Sequence, residues 1–144
     1  MPDTHTLDSL LAANERFYRT FEALDYPAMA RCWEQSERLF CVHPGWAPLR
    51  GRRPVLESWA RIIENTVAIH FDLSGAEATL AGDVGIVTVF EAISSKVGQE
   101  RHSSGVVATN LFGWDEKAGL WKLFHHHASH CTVPEDSEAG PLLV

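Results

Sequence analysis

The chain has 144 residues, 45% hydrophobic and 22% charged, a balance that fits one folded domain and excludes a disordered segment. A formal net charge of −7 leaves no basic footprint for a nucleic acid, and the one dense cluster, Arg50, Arg52 and Arg53, reads as a solvated helix entrance. Cys32, Cys41 and Cys131 are odd in number and lack a C-x-x-C pair, so reduced thiols in a cytoplasmic protein are expected, without disulfides, leader or membrane span.

In chain order, the first half reads helical. Leu7, Leu10, Leu11, Phe17, Tyr18, Phe21 and Leu24 share one face at helical spacing, with Thr6 as N-cap, which predicts a helix near 6–25. Asp25-Tyr26-Pro27 restarts a helix near 27–35 carrying Met29, Cys32 and Trp33, its proline in the first turn where a missing N–H costs little. Residues 39–43 form a short strand. A third helix near 52–65 begins around Arg53-Pro54 and carries a stripe of Val55, Trp59, Ile62 and Ile63.

The second half changes character. Stretches rich in Val, Ile, Thr and aromatics run over 67–80, 84–97, 101–114 and 120–131, separated by Gly82-Asp83, Gly98-Gln99 and Asp115 through Gly119. Connections this short make antiparallel neighbours, and strands this long must curve, with Gly75 and Gly105 as bulge candidates. The expected fold class is therefore α+β: a cone of three N-terminal helices packed on a curved antiparallel sheet. One domain is expected over 1–131 and a tail over 132–144, whose Leu142-Leu143-Val144 could dock.

His43–Pro44 is the most informative pair. Proline restricts its predecessor to extended geometry, so His43 is presented at a strand end, either to a cavity or to a single loop hydrogen bond. Tyr18 lies on the apolar helix face, where one partner would satisfy a buried phenol. Asn110 interrupts the apolar run Val106-Val107-Ala108-Thr109-Asn110-Leu111-Phe112, so its amide needs a polar cavity or a partner. The run His125-His126-His127 invites a metal reading, but only His125 and His127 share a face and no spacing brings in a third ligand such as Glu91 or His43. No metal and no cofactor are expected.

Three helices, a short strand before the third and a bent sheet resemble the NTF2-like superfamily, most nearly its SnoaL-like proteins and ketosteroid isomerase homologues. The resemblance covers about residues 6–131. It is carried by Val42-His43-Pro44-Gly45, by Gly51-Arg52-Arg53-Pro54-Val55 and by the string from Gly119 to Ser129, which also resembles the last strand of calcium/calmodulin-dependent kinase association domains. The resemblance implies a cone pocket in which His43 stands where isomerases carry a general-base aspartate before proline. Tyr18 falls near the family's oxyanion-hole tyrosine, and Asn110 near its protonated aspartic acid.

It also implies that Trp33, Trp46 and Trp59 line the cone mouth, and that Trp33, Trp59, Phe90, Phe112 and His126 surround one cavity. Phe124, His126 and Ala128 would point inward, leaving Trp121, Leu123, His125 and His127 on an outer face covered by a second copy. Three functions follow: an isomerase or cyclase acting on an apolar carbonyl compound, a non-catalytic domain holding a small apolar carbonyl or carboxylate ligand, or a dimerisation scaffold. The expected partners are that small ligand and a second copy, with no nucleic acid and no membrane.

Overall fold

The computed structural model describes residues 5–132. The tail over 132–144 and the docking expected of Leu142-Leu143-Val144 lie, apart from residue 132, outside the described residues.

Each N-terminal helix starts where its cap dictates. Helix α1 (Leu7–Ala23) opens with a capping box in which Thr6 and Ser9 bond each other's backbone N–H, satisfying donors that a helix start leaves orphaned. It ends at Leu24, whose left-handed φ of 54° turns the chain out. Helix α2 (Tyr26–Cys32) is capped by Asp25, whose side chain accepts from the Ala28 N–H at 3.1 Å, with Pro27 in the first turn. It stops three residues short of the expected end because Trp33 adopts extended geometry and bridges in parallel to Leu123. Helix α3 (Arg52–Asn65) starts after Gly51, which sits at φ 92°.

Strands β1 (Phe40–Val42) and β2 (Leu49–Arg50) precede α3, and β3 (Ala68–Ala81), β4 (Val84–Val97), β5 (Glu100–Asp115) and β6 (Leu120–His130) follow it. The order across the sheet is β2-β1-β6-β5-β4-β3. The long strands form the expected antiparallel meander, but β1 runs parallel to β6, so the curved sheet is mixed and six-stranded. Gly75 is a bulge, with φ 64° and a register jump between Ser74 and Glu77. Gly105 is not: it stays in register opposite Ala92, and its carbonyl accepts from the Cys131 N–H.

The second irregularity falls where the sequence gives no glycine. Leu111 faces His125 while Phe112 faces Leu123, so Phe124 is the extra residue and the alternation of β6 inverts there. The expected outward row of Trp121, Leu123, His125 and His127 is thus corrected. Trp121 and Leu123 are 2% and 0% exposed in the core, whereas His125 and His127 face outward beside Phe40 and Val42. Phe124 leaves the expected inward set and lies half-buried under the Arg38 guanidinium, 3.7 Å from its ring centre. His126 and Ala128 do face inward.

The core fills the space between helices and sheet with Leu10, Phe17, Met29, Val55, Trp59, Val87, Val106, Phe112, Trp121 and Leu123. Leu123→Ala should therefore lower stability by about 2–5 kcal/mol in urea unfolding, the cost of a core truncation. A near-neutral effect would return Leu123 to the outer face.

Candidate functional site

Inside the apolar cone lies a connected set of polar side chains. On α1, Asn14 and Tyr18 are four residues apart and so share the face turned to the sheet. Strand β4 contributes Glu91, which shares the inward face of Val87 and Val89. Asn110 of β5 and His126 of β6 are direct cross-strand partners. All five are buried, at 0–4% exposure.

Their hydrogen bonds run in one direction. The Asn110 amide nitrogen donates to Asn14 Oδ1 at 2.9 Å and to Tyr18 Oη at 3.2 Å. Both amide hydrogens are thereby used, and Asn110 Oδ1 must accept, which places the proton of His126 on Nδ1, 2.6 Å away. Tyr18 in turn donates its hydroxyl hydrogen to Glu91 Oε2. The chain reads His126 to Asn110 to Tyr18 to Glu91, each donor aimed toward the carboxyl group.

Burial sets the protonation states. Loss of solvent pushes the Glu91 carboxyl up to about 7, although the Tyr18 hydroxyl partly opposes this by favouring the carboxylate. Burial first, and the Glu91 charge second, hold the Tyr18 phenol well above its ordinary value. His126 is pushed down to about 3 by burial and then by the neighbouring imidazoles, His43 first.

His43 follows β1 and is buried as well. The Ser58 hydroxyl donates to the Val55 carbonyl at 2.6 Å, so it can only accept from His43 Nε2–H at 2.9 Å, leaving His43 Nδ1 as the free lone pair. Burial lowers this imidazole to about 4. The bond that His43 makes is to a side chain of α3 and not to a loop backbone group, and the ring also packs on the inner aromatic cluster. Its centroid lies 4.8 Å from Trp59, 4.7 Å from Trp46 and 6.4 Å from His126.

Trp33 and Trp59 are 6.4 Å apart and Trp59 is 5.9 Å from His126, which makes Trp33, Trp59, His126, His43 and the 40%-exposed Trp46 one continuous group. The buried indole N–H groups of Trp33 and Trp59 have no hydrogen-bond partner among the described residues. Such donors cost about 1–3 kcal/mol each when nothing accepts from them.

Two residues expected beside this group are elsewhere. Phe90 pairs with Val107 and Ser74, residues of the convex face, because β4 alternates and Glu91 takes the inward place. Phe112 is inward, but pairs with Gly85 and Leu123 at the other end of the sheet, beside Ala13 and Trp121. Tyr18 and Asn110 do meet, and His43 sits one ring beyond His126. Glu91, Asn14 and Ser58 did not stand out as site residues from the sequence alone. Glu91 carried a readable signal, a carboxylate in phase with Val87 and Val89 in an apolar strand. Asn14 and Ser58 carried none, since helices hold such residues on any face.

The sequence profile of the SnoaL-like domain matches residues 10–134. A Streptomyces avermitilis protein of the NTF2-like family, provisionally described as a dehydratase, is 35% identical with a TM-score of 0.83, over 92% of this chain and 100% of that one. A Thiobacillus denitrificans protein, provisionally described as a calcium/calmodulin-dependent protein kinase type II association domain, is 28% identical with a TM-score of 0.71, over 84% of this chain and 94% of that one. The F-box protein SKIP8 of Arabidopsis thaliana is 23% identical over 124 residues, 86% of this chain, and the chain spans about half the length of that curated relative, 50%. With its helices packed on the curved sheet and the profile match across most of its length, the chain belongs to the SnoaL-like domain family of the NTF2-like fold.

Proposed function

We propose that the cone binds a small apolar carbonyl compound and moves a proton on it, as an isomerase, cyclase or dehydratase does. The observation that carries this reading is the donor chain ending on Glu91, a buried carboxyl whose pKa of about 7 suits both gain and loss of a proton near neutrality. Isomerisation, aldol cyclisation and dehydration share a first step, removal of a proton next to a carbonyl. The description of the Streptomyces avermitilis relative as a dehydratase therefore fits the same chemistry.

Glu91 is the proposed proton acceptor, held in place by Tyr18 and, behind it, Asn110, whose hydrogens are committed to Glu91 and to Asn14 and Tyr18 respectively. His43 is the second candidate, through Nδ1, but a pKa of about 4 makes it a weaker base at neutral pH. The unpartnered indole N–H groups of Trp33 and Trp59 are the donors best placed for a ligand acceptor, and Trp46 guards the approach to His43. The alternative, a ligand-binding domain without turnover, shares this pocket and differs only in the outcome of the assay.

Self-association through the convex face is the second proposal. There Val107 is 42% exposed between Phe90 and Ser129, and Ile86, Thr88, Leu111, His125 and His127 lie on the same face. The association-domain description of the Thiobacillus denitrificans relative supports it.

These proposals give three expected outcomes. With a turnover substrate found among enolisable ketones, Glu91→Gln should lower the rate by roughly two to four orders of magnitude, the usual worth of acid–base catalysis. Ketone binding without turnover in the parent protein would favour the non-catalytic reading instead. In sedimentation at micromolar concentration the parent should run at twice the chain mass and Val107→Glu at the chain mass; a monomeric parent would end the proposed pairing.

The third outcome is read from pH. The lowered imidazoles contribute stability that is present above their unfolded pKa of 6.5 and lost as pH falls toward about 4 for His43 and about 3 for His126. Glu91 is opposite in sign: its contribution is present below 4.5 and lost as pH rises through about 7. Between these limits Glu91→Gln removes the one opposing proton. Its stability should climb more steeply than the parent's from pH 5 to 6.5, by about 1.4 kcal/mol per pH unit. Parallel urea-unfolding curves would assign Glu91 an ordinary carboxylate pKa.

A further inference from the structure

Outside the cone, α1, α2 and the start of β6 enclose a separate cavity of about 230 Å³. Its floor is apolar, from Ala13, Phe112, Leu120 and Trp121, and its rim carries Arg16, Arg31 and Lys122 with no carboxylate among its lining residues. An adjoining hollow of about 510 Å³ shares Arg31 and Lys122 and adds Arg52 and Lys117, with Asp115 as its one acid. Five of the chain's 12 Lys and Arg residues thus border two hollows that share Arg31 and Lys122, in a chain with net charge −7.

The pairing pattern sharpens the point. Arg19, Arg38 and Arg53 on the same helices and loops form ion pairs with Glu15, Glu22, Glu34 and Glu57. Among the described residues Arg16, Arg31 and Lys122 form none. The Lys122 ammonium instead donates to the Arg31 carbonyl at the end of α2, 2.5 Å away, which holds it in place without a carboxylate partner. Like charges gathered without counter-charge repel, and that repulsion is relieved when an anion enters.

We propose that this groove is a second binding site, one for a small organic anion whose carboxylate or phosphate head lies among Arg16, Arg31 and Lys122 and whose short apolar body rests on Phe112, Leu120 and Trp121. The volume lies below the roughly 300–1,000 Å³ of pockets for drug-sized ligands, so the body is short. Cys32 lines the same cavity, and the positive charge of Arg16, Lys122 and Arg31 reaches its thiol and opposes the upward push of burial. Guanidinium forks supply paired donors for either head group. Phe112 lines this groove at the end of the core away from His126, which accounts for its separation from the other aromatic residues expected beside it.

The probes are phenyl phosphate, benzoate and, as the uncharged counterpart, phenol, titrated calorimetrically into the full chain. Phenyl phosphate or benzoate should bind saturably, more weakly as salt rises, and the stronger of the two names the head group. The Arg16→Gln/Arg31→Gln double variant should bind at least about tenfold more weakly, equivalent to about 1.4 kcal/mol. Both arginines are exposed and unpaired, so folding is spared. Arg53→Gln, on α3 and paired with Glu57, should leave binding unchanged. Peptide mapping after iodoacetamide treatment should show the bound anion slowing alkylation of Cys32. Absence of saturable anion binding, equal binding of phenol, or affinity unchanged in the double variant would each overturn the proposal. Binding that survives in the double variant would point to the cone, leaving the proposed proton chemistry untouched.

Discussion

Asn110 has no contact with solvent, so its amide must find every partner inside the protein, and that requirement organises the interior of the cone. Its nitrogen has two hydrogens, which go to Asn14 and Tyr18 of α1, and its oxygen accepts from His126 of the neighbouring strand. One side chain therefore ties the first helix to two strands of the sheet. It also fixes the tautomer of His126 and the direction in which Tyr18 donates. Replacing Asn110 by an apolar residue would strand three partners at once, and a half-satisfied polar network is worse than none. The arrangement has to be complete or absent.

That completeness explains how Glu91 can be buried at all. An isolated carboxylate in an apolar interior would stay protonated far above neutrality, but the Tyr18 hydroxyl offers the ionised form one strong donor. The balance between lost hydration and this single donor leaves the group near neutral pH. The same interior holds His43 and His126 neutral, so neither imidazole places a positive charge beside Glu91 at pH 7. Glu91, His43 and His126 share a dry interior without any pair of them forming an ion pair, and of these the carboxyl alone has its ionisation balanced near neutral pH.

Much of the frame was legible in the sequence because its signals are local. The Thr6 and Asp25 caps, the Gly-bearing turns and the long strand stretches each fix an element through its own residues. The β6 faces were not, since period-two reading assumes an unbroken ladder and Phe124 is a bulge that no glycine announces. One extra residue sends Trp121 and Leu123 inward while leaving His126 inward too, a combination no strict alternation allows. The parallel partnership of β1 with β6 is equally non-local. Of the site, Tyr18 and Asn110 were visible as polar residues among apolar ones, and His126 through the family resemblance alone. Their connection through Asn14 and Glu91 was not, because it joins residues up to 96 positions apart.

The two unpartnered indole groups bear on what the closed interior means. Trp33 and Trp59 are each 1% exposed, so their N–H groups cannot be satisfied by bulk water. Native interiors keep such orphans few, and an apolar residue at either position would avoid the penalty. Both donors nevertheless lie in the one aromatic group that also contains His43 and His126, whose lone-pair nitrogens, Nδ1 and Nε2, follow from their fixed tautomers. Two buried donors without partners, in one aromatic group with two neutral imidazoles, would form the polar half of the recognition surface proposed for the cone. A ligand that presents an oxygen to the indoles and a hydroxyl to an imidazole would satisfy both at once. The energy left unrealised in the closed cone is then available as binding energy, which links the packing of the interior to the reaction proposed for it.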